Sequence, residues 1–241
     1  MRTYQARINL TEQVSSLLSE YACLYGIIER TLFAETIAQN IKPESVKNTY
    51  LKRFSITARQ FNAVCRNLKG KADSIKERRN GLITESSQRI NKAEKVISVL
   101  EKKLKSFPNS LDSAKRKLAL HQKKRRLHIL QVKHSAMVQD KKDNIIRMCL
   151  GSKKLFHAQY NLDKNGYAHH SEWKKDWEQS RNSQFYVLGS KDETAGCQGC
   201  VATKTADGFL LRLRLPEHVD STSKYLQLPI SLAYGSDGFA K

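Results

Sequence analysis

The segment 199–215, GCVATKTADGFLLRLRL, carries the clearest local signal in the chain. Two runs of strand-forming residues flank Asp207 and Gly208, a dipeptide that favours the two-residue turn of a β-hairpin. In the second run, apolar residues alternate with Arg212 and Arg214, which predicts one apolar and one charged face. We therefore predict an antiparallel hairpin here, with a further strand over the YLQLPI sequence at 225–230.

Upstream of this hairpin, most of the chain has helical periodicity. Apolar residues recur at spacings of three and four from Thr11, a suitable N-cap, to about Ala38. A short second helix is predicted over 44–54, and a third from about Thr57. The third continues through two glycines, each of which weakens a helix by about 1 kcal/mol relative to Ala.

The stretch 90–137 contains two long helical stripes joined by a short turn. The apolar residues from Ile90 to Leu104 recur at coiled-coil spacing. The sequence SFPNS at 106–110 predicts a turn, and a second apolar stripe runs from Leu111 to Met137. This pattern predicts an antiparallel helical hairpin. Because its seam is thin, we expect it to pack against other helices or against a nucleic acid.

The remaining elements are shorter. We predict a short helix in LGSKKLF at 150–156, another helix over 169–181 and a strand in QFYVLGS at 184–190. Alternation over 4–10 predicts an initial strand, which needs a partner to be stable.

The strand at 4–10 and the later sheet together indicate how the chain is organised. Since strands are otherwise predicted only after the helices, the helices are interpreted as an insertion into a β domain. The predicted fold class is α+β, with a first strand in 1–10, a helical region in 11–146 and the rest of the β domain in 147–241.

The composition points to a polyanionic partner. The chain has 43 Lys and Arg against 23 Asp and Glu, a formal charge of +20. Such an excess destabilises a compact protein by self-repulsion unless counter-charge is supplied. A nucleic acid is the expected partner, and a ribosome-like or membrane-surface protein is the alternative. No apolar run approaches a membrane span, and five scattered cysteines do not form a disulfide framework, so we expect a cytoplasmic protein without membrane contact.

Basic residues are densest on both sides of the turn at 106–110. Between 101 and 126, Glu101 and Asp112 are the only acidic residues. Phosphates would neutralise this cationic run, and a solvated coiled-coil face is the alternative. The candidate nucleic-acid contacts are Lys115, Arg116, Lys123, Lys124 and Arg125.

A second candidate surface combines basic and aromatic residues. Unpaired bases stack on aromatic rings while Lys and Arg hold the phosphates, so this composition suits RNA. The alternative is that the aromatic residues form a core. The candidate RNA contacts are Arg147, Lys153, Lys154, Lys191, Arg212 and Arg214, and the interleaved aromatics are Phe156, Tyr160, Trp173, Trp177 and Tyr186.

No active site is predicted from the sequence. Cys197 and Cys200 form a single C-x-x-C, whereas a structural zinc site needs four ligands. The acidic residues near this pair lie in turn-like surroundings rather than in apolar strands. We therefore predict no catalytic residue, no metal site and no cofactor in this chain.

Five ordered phrases resemble the front half of OrfB/TnpB transposases over 4–235. They are LYGIIERTLFAE at 24–35, ITARQFNAVCRNLKGKADSIKE at 56–77, GSKKLFHAQYNL at 151–162, SRNSQFYVLGSKDETAGCQGC at 180–200 and LRLRLP at 211–216. This family comprises RNA-guided nucleases related to the type V CRISPR effectors.

The resemblance implies a wedge-like β-barrel interrupted by a long helical recognition lobe. It assigns 2–10 and about 147–230 to the wedge and 11–144 to the lobe. Guide RNA and target DNA are then the expected partners. Family members continue into a RuvC-like nuclease with a zinc ribbon, neither of which can be placed here, so we expect a truncated product without cleavage activity. The alternatives are a nuclease-free regulator, a decayed transposase remnant or a helical protein-binding adaptor.

Overall fold

The computed structural model describes residues 5–107, 112–189, 199–206, 208–219 and 223–231. Helices precede strands along the described part of the chain, whereas the sequence predicts one strand before the helices. The helices are α1 (Glu12–Leu32), α2 (Pro43–Phe54), α3 (Ala58–Ser106), α4 (Ser113–Lys142), α5 (Lys153–Ala158) and α6 (His170–Arg181). The strands are β1 (Cys200–Thr205), β2 (Gly208–Arg214) and β3 (Tyr225–Ile230).

The chain divides into two compact units. Met1–Lys69 and Cys149–Lys241 form the sheet-bearing unit, and Gly70–Met148 forms the helical unit. The second division lies close to the predicted boundary at 146. The first lies at Lys69 rather than at Thr11, because α1 packs with the sheet and with the early part of α3, where Asn67 Nδ2 donates to the Tyr25 hydroxyl at 2.8 Å.

Side-chain hydrogen bonds to the backbone mark the first residues of α1 and α3. The Thr11 hydroxyl caps α1 by accepting a hydrogen bond from the Val14 amide at 3.4 Å. A π-helical turn, Phe33–Ala38, extends α1 to the predicted limit. Helix α3 starts with a reciprocal capping box, in which Thr57 Oγ1 accepts from the Gln60 amide and Gln60 Oε1 accepts from the Thr57 amide. These predicted helices are confirmed.

The sheet-bearing unit has an aromatic and aliphatic core. Tyr50 and Phe61 are buried, with ring centroids 5.6 Å apart. A second cluster unites α1 with the sheet, because Tyr21 packs with the buried Leu213 and Leu215 and stacks on Phe185 at 4.3 Å. Helix α1 therefore packs on one face of the sheet.

The three strands form an antiparallel meander in the order β1-β2-β3. Val201 lies opposite Arg212, and Leu211 lies opposite Leu228. Leu213 is buried while its neighbour Arg212 is exposed, which confirms the predicted hairpin and its two faces. The α+β class is confirmed in this form, a small antiparallel sheet beside predominantly helical structure.

Two predicted strands are wrong within the described residues. Residues 5–10 form no strand, and Leu10 is largely exposed. Residues 184–189 are also irregular, although Phe185 and Val187 pack against the Tyr21 cluster. At 184–189 the alternation marks side chains that pack against the core, whereas at 5–10 it does not, and in neither segment does it supply a hydrogen-bonding partner. The interpretation of the helices as an insertion depended on the first strand, so that argument for it no longer holds. Met1–Tyr4, which include the first residue of the predicted strand, lie outside the described residues.

Helices α3 and α4 form the predicted antiparallel hairpin. Lys124 Nζ lies 2.6 Å from Glu101, and Gln131 Nε2 donates to Glu94 at 3.3 Å. Further from the turn, Arg79 donates to the Asp140 carbonyl at 2.8 Å. Positions later in α4 thus meet positions earlier in α3, which only antiparallel helices allow. Helix α3 ends at Ser106, within the predicted turn, and 108–111 lie outside the described residues.

Candidate nucleic-acid interface

Positive charge is concentrated in the helical unit. Gly70–Met148 contain 21 Lys and Arg against eight Asp and Glu, a net charge of +13. The sheet-bearing unit is twice as long and carries the remaining +7. The smaller unit therefore carries most of the repulsion that a polyanion would relieve.

Helix α4 is the most basic element described. It carries ten Lys and Arg, and Asp140 is its single acidic residue. Lys124 pairs with Glu101 of α3 at 2.6 Å, and Lys115 lies 3.9 Å from Asp112. The predicted contacts Lys115, Lys123, Lys124 and Arg125 are exposed and Arg116 is half-buried, so the structure brings all five onto one helix.

The basic residues surround α4 instead of lining one face. Lys123 falls on the seam side, at the three-and-four spacing that joins Leu120 and Leu127, yet it is exposed. Lys117 and Lys124, seven residues apart, share a different side. Among the described residues, Lys123 and Arg125 form no ion pair. A phosphate polymer could therefore meet unpaired cations from more than one direction.

Helix α4 also has an exposed apolar stripe away from its seam. Leu118 is 61% exposed, and Ile129 and Val132 are exposed as well. Their spacing of eleven and three residues places them along one side of the helix. This stripe is the feature that favours a protein partner over a nucleic acid.

Arg147, one of the predicted RNA contacts, closes the open end of the hairpin. Its guanidinium donates to both carboxylate oxygens of Asp140, at 2.6 and 2.9 Å. Arg79 donates to the carbonyls of Asp140 and Ile145. The guanidinium holds the pKa of Asp140 below its ordinary value, and the carboxylate raises the pKa of Arg147. Arg147 thus has a structural partner, while its outer edge remains exposed.

The second predicted surface is divided among several elements. Arg147 belongs to the helical unit, whereas Lys153 and Lys154 begin α5 and Arg212 and Arg214 lie on β2. The sixth predicted residue, Lys191, lies outside the described residues. Lys153, Lys154 and Arg212 are exposed, and Arg214 is half-buried.

The predicted aromatic residues separate into a core group and an exposed group. Trp173 is 5% exposed, and its Nε1 donates to the Leu155 carbonyl at 2.7 Å, so it belongs to the core. Its ring stacks with that of Trp177 at 6.2 Å. Tyr160, in contrast, is 68% exposed and lies edge-to-face with the exposed Phe156. These two rings, close in sequence to Lys153 and Lys154, form the aromatic and basic patch of the sheet-bearing unit.

The two arginines of β2 differ in their surroundings. The exposed Arg212 stacks over the Tyr225 ring at 4.9 Å. Arg214 instead lines a small cleft whose other described lining residues are Tyr21, Thr57, Arg59, Gln60 and Gly199. Sequence reasoning missed this cleft; the T-x-x-Q capping box at 57–60 was its one local signal.

Neither a metal centre nor a membrane span is found among the described residues. No group of three His, Cys, Asp or Glu side chains converges in this part of the chain, and Cys197 of the C-x-x-C lies outside it. No described helix is both long enough and apolar enough to cross a bilayer.

Comparison with protein-family models, curated proteins and solved structures finds no match to this chain. The resemblance to OrfB/TnpB transposases therefore stays a prediction. Function is inferred instead from the charge distribution and the surface geometry of the two units.

Proposed function

We propose that this chain binds structured RNA through the α3–α4 hairpin, as the non-catalytic guide-binding module of an OrfB/TnpB-type RNA-guided nuclease. The observation that carries the proposal is the composition of α4, with ten cationic side chains against one carboxylate. That carboxylate, Asp140, is already held by Arg147. We assign no catalytic residue and no cofactor.

Phosphate neutralisation supplies the driving force for binding in this proposal. Lysines and arginines that contact phosphates release condensed counterions, which favours binding and makes it strongly dependent on salt. The 30 residues of α4 extend over about 45 Å, which exceeds one turn of about 34 Å of a B-form duplex. A helix of this length and charge is suited to tracking the backbone of a guide–target duplex. Base pairing would then supply the sequence recognition.

The sheet-bearing unit supplies a second kind of contact in this proposal. Phe156 and Tyr160 expose their rings close in sequence to Lys153 and Lys154. Exposed aromatic side chains stack on unpaired bases, while lysines hold the neighbouring phosphates. Unpaired regions of a structured guide RNA are the ligand that this patch suits, and the exposed Arg212 offers a further phosphate contact.

The test is a salt titration of RNA binding by fluorescence anisotropy. A labelled RNA hairpin is titrated with the wild-type chain and with a variant that carries Gln at Lys115, Arg116, Lys123, Lys124 and Arg125. Between about 50 and about 500 mM salt, the logarithm of the wild-type binding constant should fall linearly, and the five substitutions should reduce the slope by about 3 to 5. The affinity at low salt should fall about 100-fold or more.

A charge-matched control separates a local surface from overall charge. It carries five Gln substitutions on exposed lysines of the sheet-bearing unit, at Lys42, Lys52, Lys164, Lys175 and Lys224. The control should bind with less than a tenth of the loss seen for the hairpin variant. Equal losses of RNA affinity in the two variants would show that net charge alone accounts for the effect. Binding that is insensitive to both salt and the hairpin substitutions would refute the proposal.

The exposed stripe on α4 favours one other function, that of a helical protein-binding adaptor. Leu118, Ile129 and Val132 would then enter a partner's groove. This function predicts salt-insensitive association that Ser at these three positions abolishes, whereas RNA binding would survive those substitutions. A nuclease-free regulator and a guide-binding module share the same surface, and sequencing the RNA that copurifies with the chain distinguishes a defined transposon-end transcript from unspecific RNA.

A further inference from the structure

The cleft beside Arg214 joins three separate elements of the sheet-bearing unit. Tyr21 comes from α1, Thr57, Arg59 and Gln60 from the start of α3, and Arg214 from the end of β2. Its cavity volume is about 50 Å³. This space is sufficient for a few water-sized groups and too small for a nucleobase.

The described lining of the cleft is rich in donors and contains no carboxylate. Two arginines, Arg59 and Arg214, line it, and the Arg214 side chain makes no hydrogen bond or ion pair with the described residues. The first turn of α3 adds the partial positive charge of a helix N-terminus. A cation would meet repulsion here, whereas an oxyanion would meet converging donors.

One buried donor of the cleft points to a missing acceptor. The Gln60 Nε2 atom is buried, lies near the Tyr21 hydroxyl, and makes no hydrogen bond of good geometry with the described residues. Its orientation is fixed, because Oε1 of the same amide accepts from the Thr57 backbone at 2.9 Å. A buried donor without an acceptor is unfavourable, so such groups in proteins are normally paired with protein, water or ligand.

Tyr21 adds a hydroxyl to the lining of the cleft. The side chain is 4% exposed and fixed by its stacking on Phe185, yet it lines the cleft. Burial raises the pKa of Tyr21 to about 12, so its hydroxyl keeps its proton and remains a donor at neutral pH. The Gln60 amide nearby partly offsets that rise.

We infer that this cleft binds one phosphate group, held by the guanidinium of Arg214, the Tyr21 hydroxyl and the Gln60 amide. A tetrahedral oxyanion of this size would satisfy the buried donors and the charge together. The preference for phosphate stands on the cleft alone. Its assignment to a phosphate of the bound RNA strand rests on the proposed function.

The first test measures thermal unfolding of the full chain in sodium phosphate and in sodium chloride of equal ionic strength. A ligand that binds only the folded state raises the melting temperature with its concentration. Phosphate should raise it above chloride, and Arg214→Gln should abolish the difference. Arg7→Gln is the matched control, because that arginine is exposed in the same unit, does not line the cleft and should retain the full shift.

Two further variants separate phosphate bound in the cleft from phosphate bound on α4 and from a loss of folding. The five-residue hairpin variant should keep the phosphate shift, which excludes phosphate bound to α4. Tyr21→Phe removes only the hydroxyl and should weaken the apparent phosphate affinity at least about threefold, even if Arg214→Gln fails to fold. A phosphate effect no larger than that of chloride, or one that Arg214→Gln leaves intact, would overturn the inference.

The second test identifies the source of the phosphate by comparing RNA strands with a terminal phosphate and with a terminal hydroxyl. Tighter binding of the phosphorylated strand that disappears in Arg214→Gln indicates a strand end. Equal binding that Arg214→Gln weakens for both strands indicates an internal phosphate. If Arg214→Gln changes neither, the assignment to RNA is wrong and a free ion is the ligand. If no RNA binds while the Arg214-dependent shift persists, the proposed function fails and the phosphate cleft stands.

Discussion

The helical unit and the sheet-bearing unit differ in how many large side chains they bury and in how much positive charge they carry. The sheet-bearing unit buries large side chains such as Tyr50, Phe61 and Leu68 almost completely. Among its described residues, the helical unit buries only two apolar side chains, Ala72 and Ile97, and the unit carries 21 basic residues. One region is therefore stabilised mainly by packing. The other region has few buried apolar contacts and a highly charged surface, so its stability should increase when counter-charge binds.

The largest effect that separates the two units should come from core truncation. Leu68→Ala removes a side chain that is 2% exposed and should lower the free energy of unfolding by about 3 kcal/mol. Ile97→Ala in the seam should cost about 2 kcal/mol, because exposed neighbours such as Val96 and Val99 leave room for water.

Urea titration can follow the two units separately. Both tryptophans, Trp173 and Trp177, lie in the sheet-bearing unit, so their fluorescence reports its unfolding, while far-ultraviolet dichroism is dominated by α3 and α4. Leu68→Ala should move the fluorescence transition more than Ile97→Ala does. The reverse order would contradict the contrast in packing.

The next effect concerns the open end of the hairpin. Asp140→Asn weakens the two-point contact with Arg147 and should speed amide hydrogen exchange at Ile145, whose N–H donates to the Asp140 carbonyl at 2.9 Å. Asp143→Asn is the control, because the Asp143 carboxylate accepts a hydrogen bond from Gln139 of its own helix end. If amide exchange at Ile145 is unchanged in Asp140→Asn, the contacts of Arg79 alone are sufficient to hold the open end of the hairpin.

The same contact should depend on pH in a defined direction. The pKa of Asp140 is lowered from its ordinary value of 3.8, chiefly by the hydrogen bonds from Arg147. A lowered folded-state pKa gives a contribution that is complete above the ordinary value and lost as the pH falls through the folded-state value. The protection factor at Ile145, which is the intrinsic exchange rate divided by the observed rate at each pH, should therefore stay constant well above pH 3.8 and fall only below it when followed by nuclear magnetic resonance. Loss of protection that begins near neutral pH would assign the effect to another group.

The smallest effect should come from the surface of the sheet. Arg212→Gln removes a guanidinium stacked over Tyr225 at an exposed position and should cost about 0.5 kcal/mol in thermal unfolding. A loss above about 2 kcal/mol would mean that Arg212 has a structural role beyond this contact.

Much of the local structure could be predicted from the sequence. Helices α1 to α4 follow from apolar spacing together with caps such as Thr11 and the box at Thr57. The β1–β2 hairpin follows from turn chemistry and alternation. In each case residues adjacent in sequence determine the element, so local rules are sufficient.

The errors and omissions have a common cause, which is contact between distant parts of the chain. The alternation at 4–10 gave no information on a partner strand, and none forms in the described residues. Residues 184–189 bury Phe185 and Val187 without a strand ladder. The cleft requires Tyr21, Gln60 and Arg214 to meet, and no sequence pattern links these positions.

The most direct test of the central claim, that the hairpin is the RNA-binding surface, is lysine footprinting of the wild-type chain. An amine-reactive reagent with mass-spectrometric detection compares free and RNA-bound protein at low salt. Lys115, Lys123 and Lys124 should be protected severalfold more than Lys42, Lys52 and Lys164 of the sheet-bearing unit, all of which are exposed in the free chain. Equal protection of both sets, or protection confined to the sheet-bearing unit, would contradict the account.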